Sequence, residues 1–370
     1  MAPRERSRAE VGVVSGYLLR LARESIPRTQ TAFAEDVGRD LGTVQGWESG
    51  RRPLANTRSG DLLHLRRRLA LLGADPGLLG QLGAAMDADR VLTAVLNPPA
   101  DPADHPLAGW VQSRETAHLI AWAVRGITPP TLADRAGRPR RGPAPAGPQL
   151  AATDRDTFFA HLRRTAETAA AAGDRALLLR RQALYLASYD PAPDAGDWAE
   201  QALRTMRPAL ALRGYTPRWI EARTAATVAA RQGDPEQLQD FITTALADDE
   251  HGELANLAYW GYWLGAMPAE QPDDGFMHNP SPAAWNPVHI LQGLVDSLHD
   301  APGTVDLYLH SVTTLLRLHP WLPLAEPATV HRFRERTAEL RDGRLISQRS
   351  RRDLDQVQPL LQPANEQRTM

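Results

Sequence analysis

The chain has 370 residues, 42% of them hydrophobic, and no cysteine. It is long enough to bury a sizeable core in two or three units, and neither a disulfide framework nor a thiolate metal site is open to it. A net charge of −2 argues against a protein that coats nucleic acid over its whole surface, and no apolar run approaches the roughly 20 residues needed to span a bilayer.

The N-terminal MAPRERSRAE is charged and lacks the apolar stretch of a signal peptide, so a cytoplasmic protein with no membrane association is expected. Every basic side chain is arginine, and Ala, Gly and Pro abound, which suggests a GC-rich genome such as an actinomycete's. Charge is unevenly spread: residues 1–75 carry 13 Arg against 9 acids, leaving the remainder acidic. Only the N-terminal part is suited to approach phosphate.

Ala9 to Glu24 reads as a helix with Val14, Tyr17, Leu18 and Leu21 on one side. Thr29 can cap a second helix from Gln30 to Val37, whose Ala32, Phe33 and Val37 face a core. Gly38 supplies a left-handed turn. Asp40 can then cap a third helix from Leu41 to about Ser49, with Val44 and Trp47 three apart. Gly50 closes that helix, Arg51 and Arg52 follow, and Pro53 prevents its continuation. Ser59 can cap a helix through Leu62, Leu65, Leu69 and Leu72, and its other face carries Arg66, Arg67 and Arg68, a solvated face or a basic one. Asp75-Pro76 has the signature of a capped helix start; that helix reaches about Met86, and a shorter one covers Asp87 to Leu96.

Two short helices about a glycine turn suggest the helix-turn-helix, whose second helix enters the major groove of DNA. Residue for residue, the stretch from Thr29 to Pro53 resembles the phage repressor and Cro-like (XRE) family at Gln30, Ala34, Gly38, Asp40, Thr43, Val44 and the run Trp47-Glu48-Ser49-Gly50-Arg51. The resemblance implies sequence-specific binding of double-stranded DNA and transcriptional regulation, most often repression. It places Gln30 at a phosphate and Leu41, Gly42, Gln45 and Gly46 where side chains reach base edges. A glycine inside a helix costs roughly 1 kcal/mol relative to alanine. Gly42 and Gly46 lie four apart on one face, so they would let the backbone approach the groove floor. Gln45 is then the amide able to contact adenine bidentately, and Leu41 could meet a thymine methyl. Arg39 departs from the family's apolar residue and suits either a phosphate contact or a structural salt bridge. Thr29, Gln30, Arg39, Leu41, Gly42, Thr43, Gln45, Gly46, Arg51 and Arg52 are therefore the candidate DNA-binding residues. Few phosphate contacts per copy imply a homodimer for useful affinity. The alternative is a domain that keeps the shape and has lost the DNA.

The sequence divides into a DNA-binding part over 1–96, a linker and connecting helix over 97–136, a flexible Pro/Gly/Arg linker over 137–153, and a helical dimerisation or sensor domain over 154–370. Within these, Asn97 to Pro106 reads as linker and Leu107 to Val124 as a helix containing Trp110, Leu119 and Trp122. Arg138, Arg140 and Arg141 belong to a solvated linker or to nonspecific DNA contact. From residue 154 on, helical stretches alternate with short turns. Several junctions are Gly-Asp, as at 173–174 and 233–234, where Gly ends one helix and Asp can cap the next. The fold expected is all-α, with a Cro-like head and a tetratricopeptide-like irregular bundle or solenoid lacking a clean 34-residue period. That architecture, with the segment ANLAYWGYWLGA, resembles a group of large streptomycete regulators.

Tyr259, Trp260, Tyr262 and Trp263, followed by Asp273 and Asp274, are the candidate pocket for a small-molecule or peptide effector; the alternative is aromatics filling a helix crossing and acids capping a turn. His278, His289, His299, His310 and His319 show no metal-site spacing and no cluster with close carboxylates. No metal and no cofactor is expected. GxSxG, a phosphate-binding glycine loop and HExxH are all missing, so an enzyme is not expected. A helical adaptor for a protein or peptide, and a plasmid or phage maintenance protein using the same head, remain the alternatives.

Overall fold

The computed structural model describes residues 11–133, 147–267, 270–300, 303–343 and 345–361. Among the described residues every regular element is helical, so the fold is all-α. The chain forms two compact units, Met1–Asp190 and Pro191–Met370.

In the first unit α1 (Val13–Glu24) packs along α5 (Pro76–Leu96). Gly12, at the start of α1, has no side chain with which to cap it, and the cap comes from another helix. The Asp89 carboxylate of α5 accepts the N–H groups of Val14 and Ser15, each at 2.9 Å, satisfying donors that a helix start leaves open. Helices α2 (Gln30–Asp36), α3 (Leu41–Glu48) and α4 (Ser59–Leu71) follow α1. Ser59 is the first residue of α4; Arg58 holds the cap position without a side-chain bond. The helix beginning at Pro76 runs unbroken to Leu96 and does not stop near Met86. No glycine or proline separates Met86 from Asp87, and its buried face continues through Ala85, Ala88, Val91 and Leu92.

The helix expected over Leu107 to Val124 is instead two, α6 (Pro106–Gly109) and α7 (Arg114–Arg125). Ser113 caps α7 by accepting from Thr116 N–H. The break is held from a distance by Gln182, whose amide accepts from Gln112 N–H at 2.6 Å and donates to the carbonyls of Leu107 and Trp110 at 2.8 and 2.9 Å. Gln182 belongs to α9 (Leu177–Ala187), which packs on α8 (Ala152–Ala171), and α8 lies against α5. The helices following residue 152 up to Asp190 therefore complete the N-terminal unit, and the expected boundary at 153/154 moves to 190/191. Of the expected linker over 137–153, Arg138, Arg140 and Arg141 lie outside the described residues. Leu150 is packed, and its N–H donates to Ala123 O at 3.0 Å.

The second unit contains α10 (Ala195–Arg204), α11 (Arg207–Leu210), α12 (Trp219–Arg231), α13 (Glu236–Ala245), α14 (Glu250–Trp263), α15 (Pro287–Asp296), α16 (Val305–Leu318), α17 (Leu322–Ala325), α18 (Pro327–Asp342) and α19 (Gln348–Val357). Its core joins Trp219, Phe241, Trp260, Leu294, Leu315 and Phe333. Gly173, in the first unit, and Gly233, in the second, have positive φ at the expected junctions. Neither following aspartate caps a helix: Asp174 lies within a 3-10 turn, and Pro235 occupies the cap position of α13. No helix of the described residues is long and apolar enough to cross a membrane.

Candidate nucleic-acid interface

Helices α2 and α3 are held by one buried carboxylate. The Glu48 side chain is only 3% exposed and pairs with Arg23 of α1 through two bonds, Nε to Oε1 at 2.5 Å and Nη2 to Oε2 at 2.9 Å. Gln30 of α2 donates its amide to the same Oε2 at 2.7 Å. Three helices thus meet on Glu48, in a charge-assisted bidentate geometry that compensates the burial of both charges. Gln30, placed at a phosphate by resemblance, spends one amide N–H on this junction. The importance of Glu48 was missed; its signal in the sequence is a charge lying between the apolar positions of a short helix. Close approach of α1 completes the arrangement, since a Cβ on Gly16 would lie 2.2 Å from Trp47 O.

The turn from α2 to α3 contains Gly38 at φ 64°. Both expected caps form: Thr29 accepts from Ala32 N–H at 3.1 Å, and Asp40 accepts from Thr43 N–H at 2.7 Å. Thr43 also donates its hydroxyl to Asp40 Oδ2 at 2.7 Å and accepts from Arg52 Nη1 at 2.8 Å. The hydrogen bonds from Thr43 and the nearby Arg52 charge hold the Asp40 carboxyl below the ordinary carboxylate range. Thr43 and Arg52 are therefore committed to the start of α3.

This geometry corrects the expectation for the paired glycines. Gly42 is exposed, but Gly46 is buried beneath Arg52. A Cβ on Gly46 would lie 2.9 Å from Arg52 Cδ, and Arg52 N–H donates to Gly46 O at 2.9 Å. Gly46 makes room for an arginine of its own chain, which crosses the helix where the bare backbone was expected. Arg39 forms a salt bridge with Asp61 of α4 at 2.5 Å; of its two expected roles, the structural one has a partner in place.

What remains unspent lies on the outer face of α3 and beyond it. Leu41 is 38% exposed, and the side chains of Gln45 and Arg51 are exposed with no hydrogen bond or ion pair among the described residues. Of the arginine run on α4, Arg66 and Arg67 are likewise exposed and, among the described residues, unpaired, whereas Arg68 reaches Asp36 at 3.3 Å.

The residues proposed as an effector pocket belong to packed structure. Trp260 is 3% exposed and donates Nε1–H to Ser311 Oγ at 2.8 Å; Tyr259 and Trp263 pack against the core. The Arg223 guanidinium stands 3.7 Å from the Tyr259 ring centroid and 4.9 Å from that of Trp260. The cation such aromatics could attract is supplied by α12. Tyr262 packs near Phe276, and Asp273 accepts from Gly275 N–H to cap a 3-10 turn that begins at Asp274. His310 does have close carboxylates, contrary to expectation: it is buried with Asp353 at 3.4 Å and Glu253 at 3.7 Å, because α14, α16 and α19 converge there. No group of three or more such side chains among the described residues is placed to hold a metal.

No family model matches the chain, and neither a curated protein nor a solved structure matches it.

Proposed function

We propose that α2 and α3 form a helix-turn-helix and that the protein is a sequence-specific transcriptional regulator binding double-stranded DNA as a homodimer, with its C-terminal unit a tetratricopeptide-like body. The observation that carries this reading is the outer face of α3, where the Gln45 amide has no hydrogen bond among the described residues and Leu41 and Gly42 are exposed, with Arg51 just past the helix exposed and unpaired among the same residues. A free amide on a short, rigidly braced helix is suited to a base edge, and the arginines to phosphate. Asp40 lies on the same side, and its charge is offset by Arg52 through Thr43.

Selection of bound duplexes from a random pool tests this. Expected is a palindromic motif with half-sites about one helical turn apart, and a logarithmic salt slope of roughly −0.9 per neutralised phosphate. Equal retention of every duplex at moderate ionic strength would overturn it.

A further inference from the structure

In the N-terminal unit a cleft of about 430 Å³ opens between the Asn97–Pro106 segment, α8 and α9, within the size range of small-molecule sites. Pro98, Pro99, Pro102 and Leu179 give it apolar walls, and no carboxylate is among its described lining residues. Its polar lining includes His105, His161 and Arg164.

His105 is 2% exposed, and its Nδ1 accepts the N–H of Leu107 at 3.1 Å. An accepting Nδ1 places the proton of the neutral ring on Nε2. Nε2 is buried and has no hydrogen-bond partner among the described residues. Burial keeps the ring neutral, pushing its pKa down to about 4. Buried N–H groups are rarely left unbonded, so this donor calls for an acceptor from outside the chain. The Arg164 side chain is exposed and makes no ion pair or hydrogen bond among the described residues. His161 is fixed by its Nδ1 bond to Val95 O at 2.9 Å.

We propose that this cleft binds a small organic acid with an apolar body, its carboxylate accepting from His105 Nε2–H and Arg164 and its hydrocarbon part lying on the prolines and Leu179. The site lies in the other unit from the aromatic segment 259–263.

The test is a titration of the full chain, carrying isotope-labelled histidine, with benzoate, phenylacetate and octanoate, each beside its own amide. At least one acid is expected to shift the His105 and His161 ring signals saturably, at millimolar concentration or below, with its amide and the Arg164→Gln variant each about tenfold weaker. Arg164 is exposed, so Arg164→Gln should leave the circular dichroism unchanged, and it decides the matter if His105→Ala fails to fold. No saturable shift from any of the three acids would overturn the proposal. So would an amide binding as tightly as its acid, full binding by Arg164→Gln, or inorganic phosphate acting as strongly as the acids. The measurement needs no DNA, so its failure leaves the reading of α3 standing.

Discussion

The outer face of α3 and the aromatic segment of α14 both stand out in the sequence, and they are opposite kinds of surface. Around Trp260 most polar groups have found partners: the indole N–H meets Ser311, Asn256 donates to Ser311 at 2.8 Å, and Arg223 covers the rings while its Nε meets Asn256, leaving its buried Nη2 without a hydrogen bond among the described residues. Along α3 the buried Glu48 and the more exposed Thr43 and Arg52 are equally committed, whereas Gln45 and Arg51 have no such partner among the described residues. Residue type marks both regions as sites, but unused hydrogen-bonding capacity separates them. A side chain whose donors and acceptors are met within the chain has little left for a ligand.

The largest effects should come from the committed groups. Trp260→Ala should destabilise the C-terminal unit by about 3–5 kcal/mol, as expected for truncating a buried aromatic, measured by urea denaturation. Glu48→Ala should cost the N-terminal unit about 3–5 kcal/mol, since it leaves the buried Arg23 charge with only the longer Glu24 contact at 3.7 Å; a loss under 1 kcal/mol would mean that the α1–α2–α3 junction is held by packing alone. Next come the glycines. Gly16→Ala forces a Cβ against Trp47 backbone and should cost about 1–3 kcal/mol or more. Gly46→Ala pushes Arg52 aside at the expense of its bond to Thr43 but gains helix propensity, so its stability should stay within about 1 kcal/mol of the parent.

A pH series examines the buried Asp89. Burial raises its pKa from 3.8 to about 7, against the hydrogen bonds from Ser15 and Val14. The folded state then holds an extra proton between those values, so stability is highest at the acid end of this window and falls as pH rises through about 7. Asp89→Asn should flatten that dependence, read from urea midpoints on both sides of neutrality. The smallest structural effect belongs to Gln45→Ala, within about 0.5 kcal/mol of the parent. The same change should alter base preference at one position of each half-site, by about 1–3 kcal/mol. An unchanged preference would remove Gln45 from the proposed readout.

Much of the fold was legible because its signals are local. The Thr29 and Asp40 caps, the left-handed Gly38 turn and the Asp75-Pro76 start each depend on a few neighbouring residues, and all take the expected form. Periodicity placed the buried faces of α1 and α3 for the same reason. Some misread features are also local, such as the helix that continues past Met86 and the Ser59 cap that does not form; others are decided by side chains from elsewhere in the fold. Gln182 holds the break in the helix expected over Leu107 to Val124 from some 70 positions away, and Arg52, six residues on, claims the space above Gly46; of the two readings open for the aromatics of α14, the packed one has Arg223 covering the rings.

Helix content, the caps at Thr29 and Asp40 and the arginine-rich head were therefore settled by the amino-acid order itself, since backbone bonds and 3.6-residue periodicity act within a turn or two. Only tertiary structure decided where the first unit ends, which polar groups are consumed and which stay free. Those outcomes depend on which side chains meet across the fold, and a linear pattern of residue types does not specify that pairing.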